Sequence, residues 1–280
     1  MSYKKAFNEI NSYIFSVKMI DFVQCKENKA LCEKRIPYHC ILFVSKGSGV
    51  CYVNHEKIKC KEGTLIVFSP RSTCTVKLAG KGLLEYYMIY FSFATAYENN
   101  NQWEFENEKA KTFPFEGALT IQCLAPIVRT LENMYRSWNI KGKIFKFHVR
   151  LMFYQFIYDV MKDIRRQEMN GDICRTIEQI LEYISYQYYE PINLQKLSEM
   201  AGMSTSYFSK NFKQYVGISP IEYLTKVRIE QAKKLLIYTE DIKIKDIAKS
   251  VGYQDEFYFS NVFKKIEGCS PTEFINKQGR

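Results

Sequence analysis

The side chains best suited to recognition chemistry lie in two short segments of the C-terminal part of the sequence. Each segment combines hydroxyl, amide or carboxylate groups with lysines. Hydroxyl, amide and carboxylate groups hydrogen-bond to the edges of bases in the major groove, whereas lysines contact backbone phosphates. We therefore predict an interface for double-stranded DNA, formed by Ser204, Thr205, Ser206, Ser209, Lys210 and Lys213 in the first segment and by Glu256, Phe257, Ser260, Asn261, Lys264 and Lys265 in the second.

The two segments belong to an internal duplication. Gly202 and Gly252 are 50 residues apart, whereas Tyr207 and Tyr258 are 51 apart, so the second copy has gained one residue between glycine and tyrosine. In each copy a short amphipathic segment ends at the glycine, which permits a sharp turn. The following segment carries two phenylalanines four residues apart, which must face inward. This arrangement predicts two helix-turn-helix motifs, at residues 193–215 and 243–267.

Each copy ends in the run Ser-Pro-x-Glu, at Ser219–Glu222 and at Ser270–Glu273. Such a run is a capping box with proline at the first helical position, so it marks the start of a helix. The first run predicts a long helix over Pro220–Tyr238 that connects the two motifs rigidly. An ordinary helical hairpin can show the sequence pattern of a single helix-turn-helix motif. The prediction of DNA binding therefore depends on the two matched copies.

Residues 172–280 resemble the DNA-binding module of the AraC family of bacterial transcription regulators. The specific matches are Asp246–Tyr253 (Asp-Ile-Ala-x-x-Val-Gly-Tyr), Tyr258–Ser260, Phe263–Lys265 and Gly268–Pro271. The resemblance implies a module of seven helices whose two recognition helices, about one DNA turn apart, enter successive major grooves. It also implies a one-component regulator, commonly an activator of transcription that contacts RNA polymerase.

Residues 38–93 are typical of β-structure. They contain short runs rich in Val, Ile, Tyr and Phe, separated by turn formers such as Lys46–Gly49 and Glu62–Gly63. This pattern predicts an antiparallel sandwich or barrel, and the polar residues 97–117 predict a connecting loop. The turn pattern is similar to that of the family's cupin-like sensing barrel, which implies a small-molecule effector of unknown identity. The predicted fold class is α+β, with an N-terminal antiparallel barrel, a helical dimerisation segment and an all-α C-terminal domain.

Helical periodicity begins after the β-rich region and predicts helices over Leu119–Asn139 and Ile144–Gln167. In the second helix, apolar residues recur at alternating spacings of three and four, which is typical of a seam between paired helices. The seam would pack either on its own β domain or against a second copy of the chain. Since the corresponding helices of the family generally dimerise, we expect a homodimer with contacts from Phe147, Leu151, Tyr154, Tyr158 and Met161.

The predicted domains are a cupin-like sensing domain at residues 1–117, a helical dimerisation segment at 118–171 and the DNA-binding domain at 172–280. No catalytic or metal site is predicted, because the three histidines (His39, His55 and His148) form no H-x-H pattern and the nine cysteines form no C-x-x-C pattern. We therefore expect no enzymatic activity and no cofactor. Six cysteines precede residue 75, which leaves open a cysteine-based redox or metal sensor. A purely protein-interacting N-terminal domain is the third alternative.

The 280 residues have the composition of an ordinary globular protein, with 46% hydrophobic and 25% charged residues. No apolar run of signal-peptide or membrane-spanning length occurs, so we expect a cytoplasmic protein without a membrane partner. The net charge of +10 is not what predicts DNA binding, because 25 of the 40 Lys and Arg and only 16 of the 30 Asp and Glu lie in residues 1–171. What matters is local segregation: Met203–Tyr215 contains two lysines and no acidic residue.

Overall fold

The computed structural model of the chain describes residues 9–26, 34–35, 37–79, 82–99, 102–107, 113–140, 142–239 and 243–277. The chain divides into two compact units, Met1–Ile164 and Arg165–Arg280. The first unit combines β-sheets with helices and the second is helical, so the predicted α+β class is confirmed. The finer division at residues 117 and 171 stays a prediction.

Two antiparallel sheets form the β part of the first unit. A short 3-10 helix, Ile10–Ser12, precedes the first strand. The strands are β1 (Tyr13–Cys25), β2 (Lys34–Arg35), β3 (His39–Lys46), β4 (Ser48–Val53), β5 (Glu56–Lys61), β6 (Thr64–Phe68), β7 (Thr73–Leu78), β8 (Leu84–Asn99), β9 (Gln102–Asn107) and β10 (Gly117–Thr120). The larger sheet has the strand order β1-β8-β3-β6-β10, with β9 paired to β8, and the smaller has the order β2-β7-β4-β5.

Strand β3 shows how the core of the first unit is arranged. All residues from His39 to Val44 are buried, because both faces of the strand are covered. Ile41 and Phe43 belong to the apolar cluster that includes the helices of this unit. Leu42 and Val44 belong to the cluster between the two sheets. A continuous apolar run therefore replaces the alternation expected of a half-exposed strand.

Two helices, α1 (Leu124–Asn139) and α2 (Lys143–Glu168), contribute to the first of these clusters. The α1 start has no side-chain cap of its own. Instead, the buried carboxylate of Asp163 on α2 accepts hydrogen bonds from the backbone N–H of Gln122 at 3.0 Å and of Cys123 at 2.8 Å. A carboxylate is favourable at a helix N-terminus, so Asp163 fixes α2 against the start of α1.

Two details of the predicted secondary structure are wrong. Residues 97–117, predicted as a loop, contain the end of β8, all of β9 and the start of β10. This segment is polar because β8 and β9 form a hairpin at the edge of the sheet, where the side chains face solvent. Even Trp103 and Phe105 stay exposed there. The predicted helix start at Leu119 is also wrong, because Gly117–Thr120 pairs with β6 and α1 begins only at Leu124.

The second unit contains seven helices among its described residues, the number that the family resemblance implies. The bounds of helix α6 (Pro220–Tyr238) agree with the long helix predicted from its capping box. One apolar core includes Phe208 and Phe212, and a second includes Phe259 and Phe263; α6 contributes to both. The helices are α3 (Gly171–Gln187), α4 (Leu194–Met200), α5 (Thr205–Val216), α6 (Pro220–Tyr238), α7 (Ile244–Ser250), α8 (Glu256–Glu267) and α9 (Pro271–Lys277).

Candidate DNA interface

The first helix-turn-helix motif consists of α4, a turn at Gly202 and α5. The Asn193 side chain caps α4 by accepting a hydrogen bond from the backbone N–H of Lys196 at 2.8 Å. Gly202 has a φ of +63°, a left-handed conformation that favours glycine. Ser204 then caps α5 by accepting from the backbone N–H of Tyr207. Local sequence therefore sets where the recognition helix α5 begins.

Helix α5 separates an apolar face from a polar one. Phe208 and Phe212 are fully buried at i and i+4, so the opposite face points to solvent. Among the described residues, no carboxylate forms an ion pair with the lysines of this helix. Of the predicted contacts, Ser204, Thr205, Ser206, Lys210 and Lys213 are exposed and Ser209 is half-buried.

Ser204 differs from the other predicted contacts because its oxygen already accepts the capping hydrogen bond. Its O–H group is the part that remains to donate to DNA. The sequence-based list also omits exposed side chains of the same helix, namely Tyr207 and Gln214. The duplication pairs Tyr207 with Tyr258, 51 residues later, and the structure exposes both, by 49% and 62%.

The second motif repeats this construction with α7, a turn at Gly252 and α8. Gly252 has a φ of +90°. The Asp255 side chain caps α8 by accepting from the backbone N–H of Tyr258, which is the role of Ser204 in the first motif. Asp255 and Ser204 are 51 residues apart, so the repeat spacing was the signal that would have identified this cap. Phe259 and Phe263 are fully buried, as predicted.

The outward face of α8 is chemically more varied than that of α5. Phe257 is 79% exposed, so its ring is accessible to a partner. Glu256 lies in the first turn, where the helix dipole favours an acidic side chain. Of the predicted contacts, Phe257, Asn261, Lys264 and Lys265 are exposed, while Glu256 and Ser260 are half-buried.

Helix α6 connects the two motifs. Its start is the predicted capping box, in which Ser219 and Glu222 exchange side-chain to backbone hydrogen bonds. Near its middle, Arg228 donates hydrogen bonds to the backbone carbonyls of Tyr188 and Glu190, each at 2.8 Å. These carbonyls precede α4 in the chain, so α6 is attached to the entry of the first motif as well as to the core of the second.

The apolar seam predicted on α2 lies mostly on the solvent side of that helix. Phe147 and Leu151 are each 52% exposed and Tyr158 is 56% exposed, while another face of α2 is buried against the first unit. These three side chains therefore do not pack on the β domain of their own chain, and the contact with a second copy stays a prediction. Tyr154 and Met161 do contact that domain: the Tyr154 hydroxyl bonds to the backbone of β1, and Met161 packs against its core.

The early cysteines lie mostly in the core between the two sheets. Cys51 Sγ is 3.6 Å from Cys74 Sγ, and contacts with the Cys60 and Cys74 thiols together with burial raise the pKa of Cys51. Burial likewise raises the pKa of Cys40. Cys32 lies outside the described residues. Within the described ranges, no group of three or more His, Cys, Asp or Glu is arranged to hold a metal ion. The early cysteines that are buried in the core between the two sheets are Cys25, Cys40, Cys51, Cys60 and Cys74.

His39 is buried among aromatic rings, with its ring centre 5.2 Å from that of Phe93. Burial lowers the pKa of His39 to about 4, so its imidazole is neutral at neutral pH. This is a structural position in the core. Along the described part of the chain, no helix has the length and apolar character needed to cross a membrane.

Two sequence-family models match this chain, one in each unit. Residues 23–108 match the model described as an AraC-like ligand binding domain. Residues 197–277 match the model described as a helix-turn-helix domain, and this range contains both recognition helices. Together the two matches cover more than half of the chain.

The chain is also similar to curated regulators. The HTH-type transcriptional activator Btr of Bacillus subtilis (strain 168) is 29% identical over 273 residues, 96% of this chain and 50% of that protein. An uncharacterized HTH-type transcriptional regulator of Staphylococcus aureus is 25% identical over 254 residues, 86% of this chain and 32% of that protein. The chain thus spans half or less of the length of these two relatives.

Among solved structures, the C-terminal domain of AraT, a response regulator from Geobacillus stearothermophilus, is 37% identical to this chain. That alignment covers 36% of this chain and 84% of that one, with a TM-score of 0.35. The two family models describe a helix-turn-helix domain and a ligand-binding domain, and both curated relatives are named as transcription regulators rather than enzymes. The chain belongs to the AraC-type transcription regulators, with an N-terminal ligand-binding domain and a C-terminal DNA-binding helix-turn-helix domain.

Proposed function

We propose that the protein is a dimeric activator that binds promoter DNA in the cytoplasm through both recognition helices at once. The observation that carries this proposal is the outward face of α5 and α8, where polar and cationic side chains surround an exposed Phe257. Buried phenylalanine pairs hold both helices in place, and α6 connects the two motifs. A preformed pair of recognition helices reduces the entropy lost on binding.

The side chains of the two helices suit different parts of DNA. Lys210 and Lys213 on α5, and Lys264 and Lys265 on α8, would contact phosphates. Asn261 would pair with an adenine edge, Glu256 would accept from cytosine, and Phe257 would contact a thymine methyl group. The smaller hydroxyl groups of Thr205, Ser206, Ser209 and Ser260 would donate to or accept from base edges or phosphates.

DNA binding is tested by fluorescence anisotropy on a duplex that the wild-type protein selects from fragmented genomic DNA and on a scrambled duplex. The combined variant Lys210→Ala and Asn261→Ala should weaken specific binding by about 30-fold or more, because it removes a phosphate contact and a bidentate base contact. The control is Lys234→Ala combined with Asn133→Ala, an exposed lysine and an exposed asparagine outside both recognition helices. Unchanged specific binding by the first variant would contradict the assigned interface.

For dimerisation, the proposed contact is the exposed part of the α2 seam. Ile144, Phe147, Leu151 and Tyr158 recur at the spacing of paired helices and are 52% to 73% exposed. Such a row of large apolar side chains is rarely left in water. Since the seam is self-complementary, a second copy of this chain is the occupant that we propose. Tyr154 and Met161 would support the seam from its inner side.

Analytical ultracentrifugation tests this part of the proposal. Leu151→Glu should convert the dimer to a monomer, because it places a carboxylate in the apolar contact. Asn133→Glu is the control, since Asn133 is exposed on α1, a different helix from the one that carries the seam. A wild-type protein that stays monomeric at micromolar concentration, or a Leu151→Glu variant that stays dimeric, would show that the seam is not the contact.

Activation, contact with RNA polymerase and response to a small molecule are the remaining parts of the proposal. Activation is supported by the Bacillus subtilis relative, which is named a transcriptional activator, and ligand binding by the family match of residues 23–108. One observation favours the cysteine-based alternative, namely the 3.6 Å separation of the Cys51 and Cys74 sulfurs inside the same domain. The raised pKa of the Cys51 thiol opposes it, because the thiolate is the reactive form.

A further inference from the structure

A cavity of about 540 Å³ opens on the helical side of the first unit, outside the core between the two sheets. Its wall comes from three elements: β1, the end of α1 and the first half of α2. Four cationic side chains line it, and its lining contains no acidic residue. These cations are Lys18, Lys143, Lys146 and Arg150.

The four cations of this cavity lack an acidic partner within the part of the chain that the structure describes. Lys146 and Arg150 are four residues apart on α2, a spacing at which like charges repel each other. The first turn of α2 also lacks an acidic residue. A bound anion would relieve this repulsion and would be held by groups from β1 and α2 together.

The same cavity also has aromatic surface. Trp138 of α1 is half-buried, and Phe147 of α2 is 52% exposed. The Arg150 guanidinium lies 5.5 Å from the centre of the Phe147 ring. Lys18 donates to the hydroxyl of Ser16, which also lines the cavity, at 3.0 Å. A volume of this size is within the range of small-molecule sites, which combine apolar surface with a few polar groups.

We propose that this cavity binds a small polyanion that carries a flat aromatic portion. At least two carboxylate or phosphate groups of the ligand would pair with the lysines and with Arg150, whose planar group suits bidentate contact. The aromatic portion would lie against Trp138, because Phe147 belongs to the proposed dimer seam. The residues that line this site lie outside residues 23–108, the part of the chain that matches the ligand-binding domain, and outside the core between the sheets.

Isothermal titration calorimetry of the full chain tests the proposal with three probes. Naphthalene-2,6-dicarboxylate combines charge with rings, pyrophosphate supplies charge alone, and 2-naphthol supplies rings with no charge at neutral pH. The variant Lys146→Gln with Arg150→Gln should lower the affinity for the dicarboxylate by about tenfold or more, since it removes two charge-assisted contacts. The control is Lys46→Gln with Lys57→Gln, which removes the same charge from exposed positions outside the cavity.

The proposal is supported if the dicarboxylate binds the wild-type protein more tightly than both other probes do. Its affinity must also fall in the cavity variant and stay unchanged in the control variant. Equal affinity for pyrophosphate and the dicarboxylate would overturn the aromatic part of the proposal. Equal loss in the control variant would overturn the site, because it would reflect net charge alone. The site is equally overturned if the cavity variant changes only dimer mass or affinity for a non-specific duplex. These last readouts separate it from the proposed dimer and DNA contacts.

Discussion

The guanidinium group of Arg228 lies 5.2 Å from the centre of the Tyr253 ring, and this contact joins α6 to the turn of the second helix-turn-helix motif. The same guanidinium donates to the carbonyls of Tyr188 and Glu190, which lead into the first motif. One half-buried side chain therefore connects the entry of one motif to the turn of the other. This connection helps α6 to hold two small helical cores as one DNA-binding unit.

Replacing Arg228 by methionine should lower the free energy of unfolding of the second unit by about 2–3 kcal/mol, because two charge-assisted hydrogen bonds are lost and their carbonyls stay half-buried. Arg228→Lys should recover only part of this loss, since one ammonium group cannot reproduce the planar geometry. Urea unfolding followed by helical circular dichroism measures the effect. Lys226→Met, at an exposed position of α6, is the control, and an equal loss in that variant would contradict the role of Arg228.

Gly252 and Gly202 allow a matched test of the two turns. Both have positive φ, but a Cβ at Gly252 would lie 2.8 Å from both the Arg228 side chain and the Tyr189 carbonyl, whereas a Cβ at Gly202 would meet nothing within 4 Å. Gly202→Ala should therefore cost only the backbone strain, about 1–2 kcal/mol. Gly252→Ala should lower the free energy of unfolding by clearly more than Gly202→Ala does in the same urea experiment. Equal costs would mean that the packing around Arg228 adjusts freely.

The buried imidazole of His39 predicts a pH dependence of stability. Because its folded pKa is lowered to about 4, the unfolded chain binds a proton below about pH 6.5 that the folded chain does not. The contribution of neutral His39 is fully present above pH 6.5 and is lost as the pH falls towards 4, by up to about 3 kcal/mol.

His39→Phe, which keeps an aromatic ring next to Phe91 and Phe93, should reduce this pH dependence between pH 6.5 and 4.5. The measurement is the denaturation midpoint of the β unit at several pH values, with His148→Gln at an exposed helix position as the control. If wild type and His39→Phe lose stability in parallel as the pH falls, His39 does not titrate as the structure indicates.

The cysteines should differ sharply in reactivity. Cys123 is exposed, whereas Cys40, Cys51 and Cys74 are buried. In the native protein, Cys123→Ser should remove one rapidly reacting thiol from an Ellman titration, and mass spectrometry should find Cys51 and Cys74 unlabelled until denaturant is added. Formation of a Cys51–Cys74 disulfide after treatment with a mild peroxide, with a change in DNA affinity, would instead support the cysteine-based alternative.

The sequence predicted best those elements whose signals are local. The bounds of α6 follow from its capping box, and the inward faces of α5 and α8 follow from phenylalanines four residues apart. Strand β9 was missed because an edge hairpin keeps polar and exposed residues on both faces. The role of Arg228 had no local signal, because its partners are backbone carbonyls 38 and 40 residues away in the chain.

In the proposed complex, both recognition helices contact one DNA molecule at the same time. Once footprinting has located the two contacted groups of bases, inserting about five base pairs between them turns one group to the opposite side of the helix. The affinity should then fall by about 100-fold or more, towards the non-specific level, while the same insertion outside the footprint changes nothing. An unchanged affinity after the internal insertion would contradict the account, because one motif would then suffice for binding.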